Sequence, residues 1–159
     1  MNDWSEQAPE PREFATIRLM RVPTSGGIQG IVTSEHVLGR YTHWDAYRTV
    51  PCTDNDCTLC REGNPKRWQG YISVMNQLNQ RQVVLQVTPL AAQALAEAKL
   101  QYGKLRGLLA LFSRIAKRPN ARIHVETRQL PQPILDLPPG VDIPRYMAVI
   151  WSSNQTFRE

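Results

Sequence analysis

Residues 43 to 60 read HWDAYRTVPCTDNDCTLC, and the cysteines in this stretch decide which fold is expected. Cys52, Cys57 and Cys60 lie within nine residues, an odd number at a spacing that makes a poor disulfide framework. A Cys-x-x-Cys pair places two thiolates on one tight turn, and Cys52 adds a third across a short polar loop. The spacing therefore predicts a zinc site with these three thiolates among its four ligands.

The fourth ligand has three histidine candidates. His43 is favoured because residues 48–51 read as an extended arm that could return its imidazole to the cysteines; His36 is the second candidate and His124 the third. A closed Cys3His site has no open coordination position, so we expect the metal to hold the fold rather than to activate water. The alternatives are a trio of buried thiols and a thioredoxin-like redox pair.

The positive charge of the chain lies around and after this motif. The net charge is +5, and residues 51–130 hold twelve basic against five acidic residues, while the segments before and after them each sum to −1. A localised basic surface suggests a polyanionic partner, with nucleic acid ahead of acidic lipid. A solvated basic face is the simpler alternative.

Length and composition are those of one globular domain. The chain has 159 residues, 42% of them hydrophobic. Its longest apolar run, Leu108 to Phe112, is too short for a membrane span, and residues 1–14 lack the basic and apolar regions of a secretory signal. We therefore expect a cytoplasmic protein without a membrane partner.

Most of the remaining chain is predicted to form strands. Alternating apolar and polar residues predict strands at 14–22, 70–75, 82–87, 105–115 and 121–127, and an extended region at 37–50. The 105–115 segment also fits helical spacing. Thr88 as N-cap, Pro89 at the first helical position and Gly103 as C-cap predict one helix.

This order of elements is that of an OB-fold, a mainly β barrel with a helix between its third and fourth strands. We expect a flexible segment at 1–13 and an OB-fold domain at 14–130, with a zinc loop inserted at 43–60. Residues 131–159 would form a proline-rich strap and a C-terminal segment, with a short strand or docking segment at 146–151.

Residues 36–76 carry a resemblance. The residues that carry it are His43-Trp44, Arg48-Thr49-Val50-Pro51-Cys52, Cys57-Thr58-Leu59-Cys60, Arg67-Trp68 and Gly70-Tyr71-Ile72-Ser73-Val74. This run resembles the zinc-containing OB-fold single-stranded-DNA-binding proteins of the T-even phage type. The resemblance implies that His43, Cys52, Cys57 and Cys60 bind a structural Zn²⁺. It also implies single-stranded DNA as the partner.

The residues themselves point to the same partner. Single-strand binders combine a basic groove for phosphates with aromatic faces on which unpaired bases stack. Aromatic residues flank the cysteine motif here, and a second basic group follows the helix. The predicted nucleic-acid contacts are Tyr41, Tyr47, Arg48, Arg67, Trp68, Tyr71, Arg81, Arg106, Arg114, Lys117, Arg118 and Arg122.

These observations predict a largely sequence-independent single-stranded-DNA-binding protein that acts in DNA replication, recombination or mobile-element maintenance. The sequence offers no Gly-rich phosphate loop, no framed carboxylate pair and no Ser/His/Asp grouping, so we expect no enzyme. The alternatives are a zinc-stabilised adaptor that docks onto replication or recombination proteins, and an RNA-binding protein.

Overall fold

The computed structural model describes residues 16–152. The segment predicted to be flexible, 1–13, lies outside the described residues, and so does the start of the first predicted strand at Phe14. Residues 153–159, the end of the predicted C-terminal segment, lie outside them as well.

The described chain is mainly β, which confirms the predicted class. Its strands are β1 (Arg18–Arg21), β2 (Gly27–Val32), β3 (Leu38–Asp45), β4 (Arg48–Pro51), β5 (Arg67–Met75), β6 (Gln82–Val87), β7 (Leu109–Arg114) and β8 (Ile123–Arg128). Its helices are the single turn α1 (Thr58–Arg61), α2 (Pro89–Tyr102) and α3 (Ile143–Ser152), and a 3₁₀ turn covers Asp54–Asp56.

The strands form one open mixed sheet in the order β1-β6-β5-β2-β7-β8. The β1–β6 pair is parallel and the other pairs are antiparallel. One edge of β5 pairs with β6 along Gly70 to Met75. Its other edge pairs with β2 near Met75 and with β3 over residues 67–71. The β3–β4 hairpin therefore extends the sheet beside the first half of β5.

Alternation along β5 gives the sheet two buried faces. Ile72 and Val74 join a core that includes Ala91, Leu95 and Ala98 of α2. On the opposite face Tyr71 packs with Tyr146 and Met147 of α3, together with other residues of a second cluster. The C-terminal helix therefore covers the face of β5 and β6 that α2 does not.

Helix α2 has the caps that its sequence predicted. The Thr88 hydroxyl accepts the backbone N–H of Ala91 at 3.4 Å, and Pro89 occupies the first turn. Gly103 ends the helix at φ +82°, a left-handed conformation that glycine adopts without a steric penalty.

The structure differs from the predicted elements in three places. No strand was predicted at 27–32, yet β2 begins at Gly27, pairs with β7 and meets β5 at its end, where a Cβ on Gly30 would lie 2.7 Å from the Met75 carbonyl oxygen. The extended region at 37–50 is a hairpin that turns at Ala46, where φ is +48°. The segment expected at 146–151 as a short strand or docking segment is helix α3, which packs on the sheet through the apolar side chains of residues 143, 146, 147 and 150 on one helical face.

The 105–115 segment forms a strand only from Leu109. Leu105 and Leu108 are buried in the core before that strand begins. In the part of the chain that the structure describes, no helix is both long enough and apolar enough to cross a membrane.

The Trp68 indole packs against Gly70. A Cβ added to Gly70 would lie 2.8 Å from Trp68 Cη2 and 2.9 Å from Val37 Cγ1, both side-chain atoms. We expect Gly70→Ala to lower the free energy of unfolding by about 1–3 kcal/mol, as overpacking does elsewhere. The cost should be smaller in a Trp68→Ala background, which urea unfolding of the four proteins would measure. Equal costs in both backgrounds would show that the indole does not rest on Gly70.

Candidate metal centre and nucleic-acid interface

The four predicted zinc ligands meet at the base of the β3–β4 hairpin. His43 lies in β3 and is buried, and Cys52 directly follows β4. Because Thr42 pairs with Pro51, the hairpin returns Cys52 to the neighbourhood of His43, and the Cys52 N–H donates to the Tyr41 carbonyl at 3.0 Å. Cys57 caps α1 and Cys60 lies within it, so the single helical turn supplies the other two sulfurs.

The ligand atoms are close enough to share one ion. His43 Nε2 lies 3.3 Å from both Cys57 Sγ and Cys60 Sγ, and Cys52 Sγ lies 3.5 Å from Cys60 Sγ. All four atoms lie within 4.8 Å of one another. A tetrahedral zinc ion with Zn–S bonds of about 2.3 Å separates its ligand atoms by roughly 3.5–3.8 Å. The donor set and its spacing are therefore compatible with a zinc site.

Asn64 orients the imidazole. Its Oδ1 lies 3.1 Å from His43 Nδ1, which can donate its proton there while Nε2 faces the three sulfurs. The Asn64 amide also donates to the Trp44 carbonyl at 2.8 Å, which ties the segment after α1 to the hairpin. Metal-bound histidines commonly have such a partner, which selects the tautomer and holds the ring.

The local field favours a cation among the thiols. Backbone hydrogen bonds from Thr53 and Cys60 lower the pKa of Cys57 to about 6. A hydrogen bond with Cys52, together with burial, raises the pKa of Cys60 to about 11. One thiolate therefore forms readily, and the next is opposed until a cation compensates its charge, as a bound metal does for coordinating thiols.

At His43, burial acts to lower the imidazole pKa. Hydrogen bonds with Cys52 and Asn64 and the charges of nearby thiolates outweigh burial, so the pKa is raised. A bound metal would compete with this proton for Nε2, since only the neutral imidazole ligates.

The other two histidine candidates lie away from this cluster. His36 is exposed in the segment before β3, and His124 is exposed in β8 beside Glu126, with 3.2 Å between Nε2 and Oε1. Within residues 16–152, His43 is the histidine that joins the three cysteines.

The hairpin above the cluster exposes three aromatic rings. Tyr41 is 48% exposed, Trp44 62% and Tyr47 77%. Lys66 Nζ lies 4.8 Å from the centroid of the Tyr41 ring. Tyr41 is directly opposite Trp68, and strand alternation places Trp44 on the other face of the hairpin, the face of Tyr71.

Trp68 and Tyr71 lie on opposite faces of β5. Trp68 is directly opposite Tyr41 in the β3–β5 pair and is half-buried. Tyr71 is only 2% exposed beneath α3, so its ring is not on the surface. Burial raises the pKa of Tyr71 to about 12, which keeps the phenol neutral.

Two predicted phosphate contacts are engaged within the fold. The Arg106 guanidinium donates to the carbonyls of Thr33, Leu137 and Pro138, and so fastens the proline-rich strap to the loop after β2. The Arg114 guanidinium donates to the carbonyls of Val22 and Ala121. Burial lowers the pKa of Arg114, and the positive charge of Arg21 lowers it further.

The remaining predicted basic contacts fall into two groups. Arg48 begins β4 and Arg67 begins β5, so both belong to the hairpin region. The others are exposed on turns or strand ends farther along the sheet: Arg81 before β6, Lys117 and Arg118 between β7 and β8, and Arg122 before β8.

Sequence reasoning missed two residues of this region, Asn64 and Trp151. Asn64 contacts His43 across 21 residues, and no spacing rule indicates that contact. Trp151 meets Tyr71 edge-on at a centroid distance of 6.2 Å. A helical interpretation of 143–152 would have placed Trp151 on the apolar face with Met147.

Comparisons with protein-family models, curated proteins and solved structures find no match to this chain.

We expect Cys57→Ser to reduce bound zinc well below one ion per chain and to lower Tm, because a serine hydroxyl does not replace a thiolate at zinc. A loss of about 2 kcal/mol corresponds to roughly 4–8 °C at this chain length. Metal analysis and thermal unfolding measure both effects. Asp56→Asn, in the same exposed turn, is the control. Unchanged zinc content in Cys57→Ser would contradict the assignment.

Asn64→Ala should weaken zinc binding about 10-fold to 100-fold, the usual effect of removing the partner of a ligating histidine. Asn64→Asp keeps an oxygen acceptor for His43 Nδ1 and should bind zinc nearly as tightly as the natural chain. Competition with a chromophoric chelator measures the affinities. Equal losses in both variants would assign the effect to the lost donor at the Trp44 carbonyl.

Proposed function

We propose that this chain is a single-stranded-DNA-binding protein of low sequence selectivity, whose structural Zn²⁺ fixes an aromatic hairpin against the sheet. One observation carries the proposal: Tyr41, Trp44 and Tyr47 are exposed on a hairpin whose base holds His43 and Cys52.

Exposed rings on a fixed support suit unpaired bases. Base stacking on aromatic side chains is worth about 1–3 kcal/mol per base and tolerates any sequence, because every base has a π-face. Around the hairpin lie Arg48, Lys66 and Arg67, which supply positive charge for phosphates. The Arg40 guanidinium donates to the Cys52 carbonyl at 3.1 Å. Exposed rings with positive charges on the same hairpin support single-strand binding.

The proposed zinc ion acts structurally. Three cysteines and one histidine complete a tetrahedral set, and no coordination position remains for substrate or water. His43 and Cys52 come from the hairpin, and Cys57 and Cys60 come from α1, so one ion would join both segments. We therefore propose a binding protein without catalytic activity.

An OB-type arrangement accords with the strand pairing. β2, β5 and β6 are antiparallel neighbours, α2 follows β6, and β7 returns to pair with β2. These pairings match part of the connectivity of the five-stranded Greek-key barrel that frequently binds oligonucleotides, in a sheet that stays open between β1 and β8. A replication, recombination or mobile-element role in the cytoplasm is part of the same proposal.

The test is a titration of the zinc-loaded chain with a single-stranded oligonucleotide, followed by tryptophan fluorescence at about 50 mM and about 200 mM salt. We expect quenching, and an affinity that falls steeply with salt because counterions are released. The matched duplex and an RNA of the same sequence serve as comparisons. Binding to RNA alone would select the RNA alternative. No binding to either the single-stranded DNA or the RNA would contradict the proposal.

Arg67→Ala should weaken binding and reduce the slope of log affinity against log salt by about 0.7, the value expected for one phosphate contact on a single strand. Arg67 is exposed, and its backbone carbonyl, which accepts from Thr42 Oγ1, is retained in the variant. Arg128→Ala, at the exposed end of β8, is the control and should leave the slope unchanged. An unchanged slope for Arg67→Ala would remove Arg67 from the interface.

A further inference from the structure

A cleft opens on the face of the sheet that α3 covers. It has a volume of about 220 Å³ and lies between the β3–β4 hairpin, the ends of β1 and β6, and α3. Four aromatic residues line it, Trp44, Tyr47, Tyr71 and Trp151, together with two arginines, Arg21 and Arg48. Tyr47, Arg48 and Tyr71 were among the predicted nucleic-acid contacts, whereas Arg21, Trp44 and Trp151 were not. The six residues come from β1, β3, the β3–β4 turn, β4, β5 and α3.

We propose that this cleft takes one unpaired base of a single-stranded nucleic acid, stacked on Trp44 and Trp151, with Arg21 and Arg48 beside its flanking phosphates. The inference rests on the proposed function and adds to it the place where a base is held. Trp68 and Tyr71 lie on opposite faces of β5, so the cleft is distinct from the surface around Trp68.

The walls of the cleft are partly fixed before any ligand binds. Tyr71, buried beneath α3, forms its floor and meets the Trp151 ring at an interplanar angle of 76°. The Arg40 guanidinium lies 5.3 Å from the centroid of the Trp151 ring, which restrains the indole further. Rigid aromatic anchors bind at a lower entropic cost than mobile ones.

Trp44 has no comparable partner in the two apolar cores. Its side chain is 62% exposed and belongs to neither buried cluster, although its backbone carbonyl accepts from Asn64. The hydrogen bond from Asn64 to the Trp44 carbonyl holds this part of the hairpin beside His43, and the indole stays on the surface. A bulky apolar ring held outside the core is therefore available for stacking.

Size and charge select the ligand class. A volume of 220 Å³ is smaller than the roughly 300–1,000 Å³ of pockets for drug-sized ligands, and it suits a single planar ring system. Within residues 16–152 the cleft is lined by two arginines and no acidic residue, which favours a ligand with anionic groups beside an aromatic one. The Arg21 guanidinium also donates to the Pro119 carbonyl at 3.5 Å. A nucleotide within a single strand has both. A paired base would first have to leave its duplex, and the free-energy cost of unpairing and unstacking favours a single strand.

The experiment compares Trp44→Ala and Trp151→Ala with the natural chain, all zinc-loaded, using a single-stranded oligonucleotide and its duplex as probes. Each variant should weaken single-strand binding about 5-fold to 150-fold, the equivalent of one lost stacking contact. Residual duplex binding should change by less than about twofold, because it rests on phosphate contacts. Leu100→Ala, whose side chain is exposed on α2, is the control.

Trp151→Ala removes contacts that hold α3, so Trp44→Ala is the decisive variant, and Tm is measured for both. If the natural chain binds single strands and Trp44→Ala binds them equally well, the cleft proposal is overturned while the proposed function stands. In that case Tyr41→Ala should weaken single-strand binding instead, because the Tyr41 ring lies on the same face of the sheet as Trp68. If the natural chain binds no single strand, the proposed function fails first and the cleft proposal fails with it.

Discussion

The convergence of one imidazole nitrogen and three sulfurs within 4.8 Å is the constraint on which the placement of the β3–β4 hairpin depends. Three thiols held this close oppose one another's ionisation, and a cation among them removes that opposition. The same convergence closes the β3–β4 hairpin at its base and ties it to α1. The position of every exposed ring on the hairpin therefore follows from the geometry at His43 and Cys52.

Strand β5 distributes the aromatic residues between two surfaces. Its first half pairs with β3, so the hairpin continues the sheet beyond the α2 core. Alternation sends Trp68 to one face, over Gly70, and Tyr71 to the other, beneath α3. The C-terminal helix consequently brings Trp151 to the side of Trp44, and an aromatic cleft exists only because α3 packs on this face.

Local patterns predicted the local features. The cysteine spacing, the hairpin of β5 and β6 and the caps of α2 depend on residues near one another in sequence. Distant contacts escaped prediction. Arg106 and Arg114 belong to the basic group in the sequence, but carbonyls up to 92 residues away engage their guanidinium groups. No strand was predicted at Gly30, because the need for glycine there comes from the distant Met75 carbonyl, which leaves no room for a Cβ.

We propose that a metal-braced hairpin presents aromatic rings to single-stranded DNA. The most direct measurement is the dissociation constant for a single-stranded oligonucleotide before zinc removal by a chelator, after removal, and after zinc is returned. We expect affinity to be lost with the metal and to recover with it, because the rings lose and regain their support. Unchanged affinity after verified removal of the metal would contradict it.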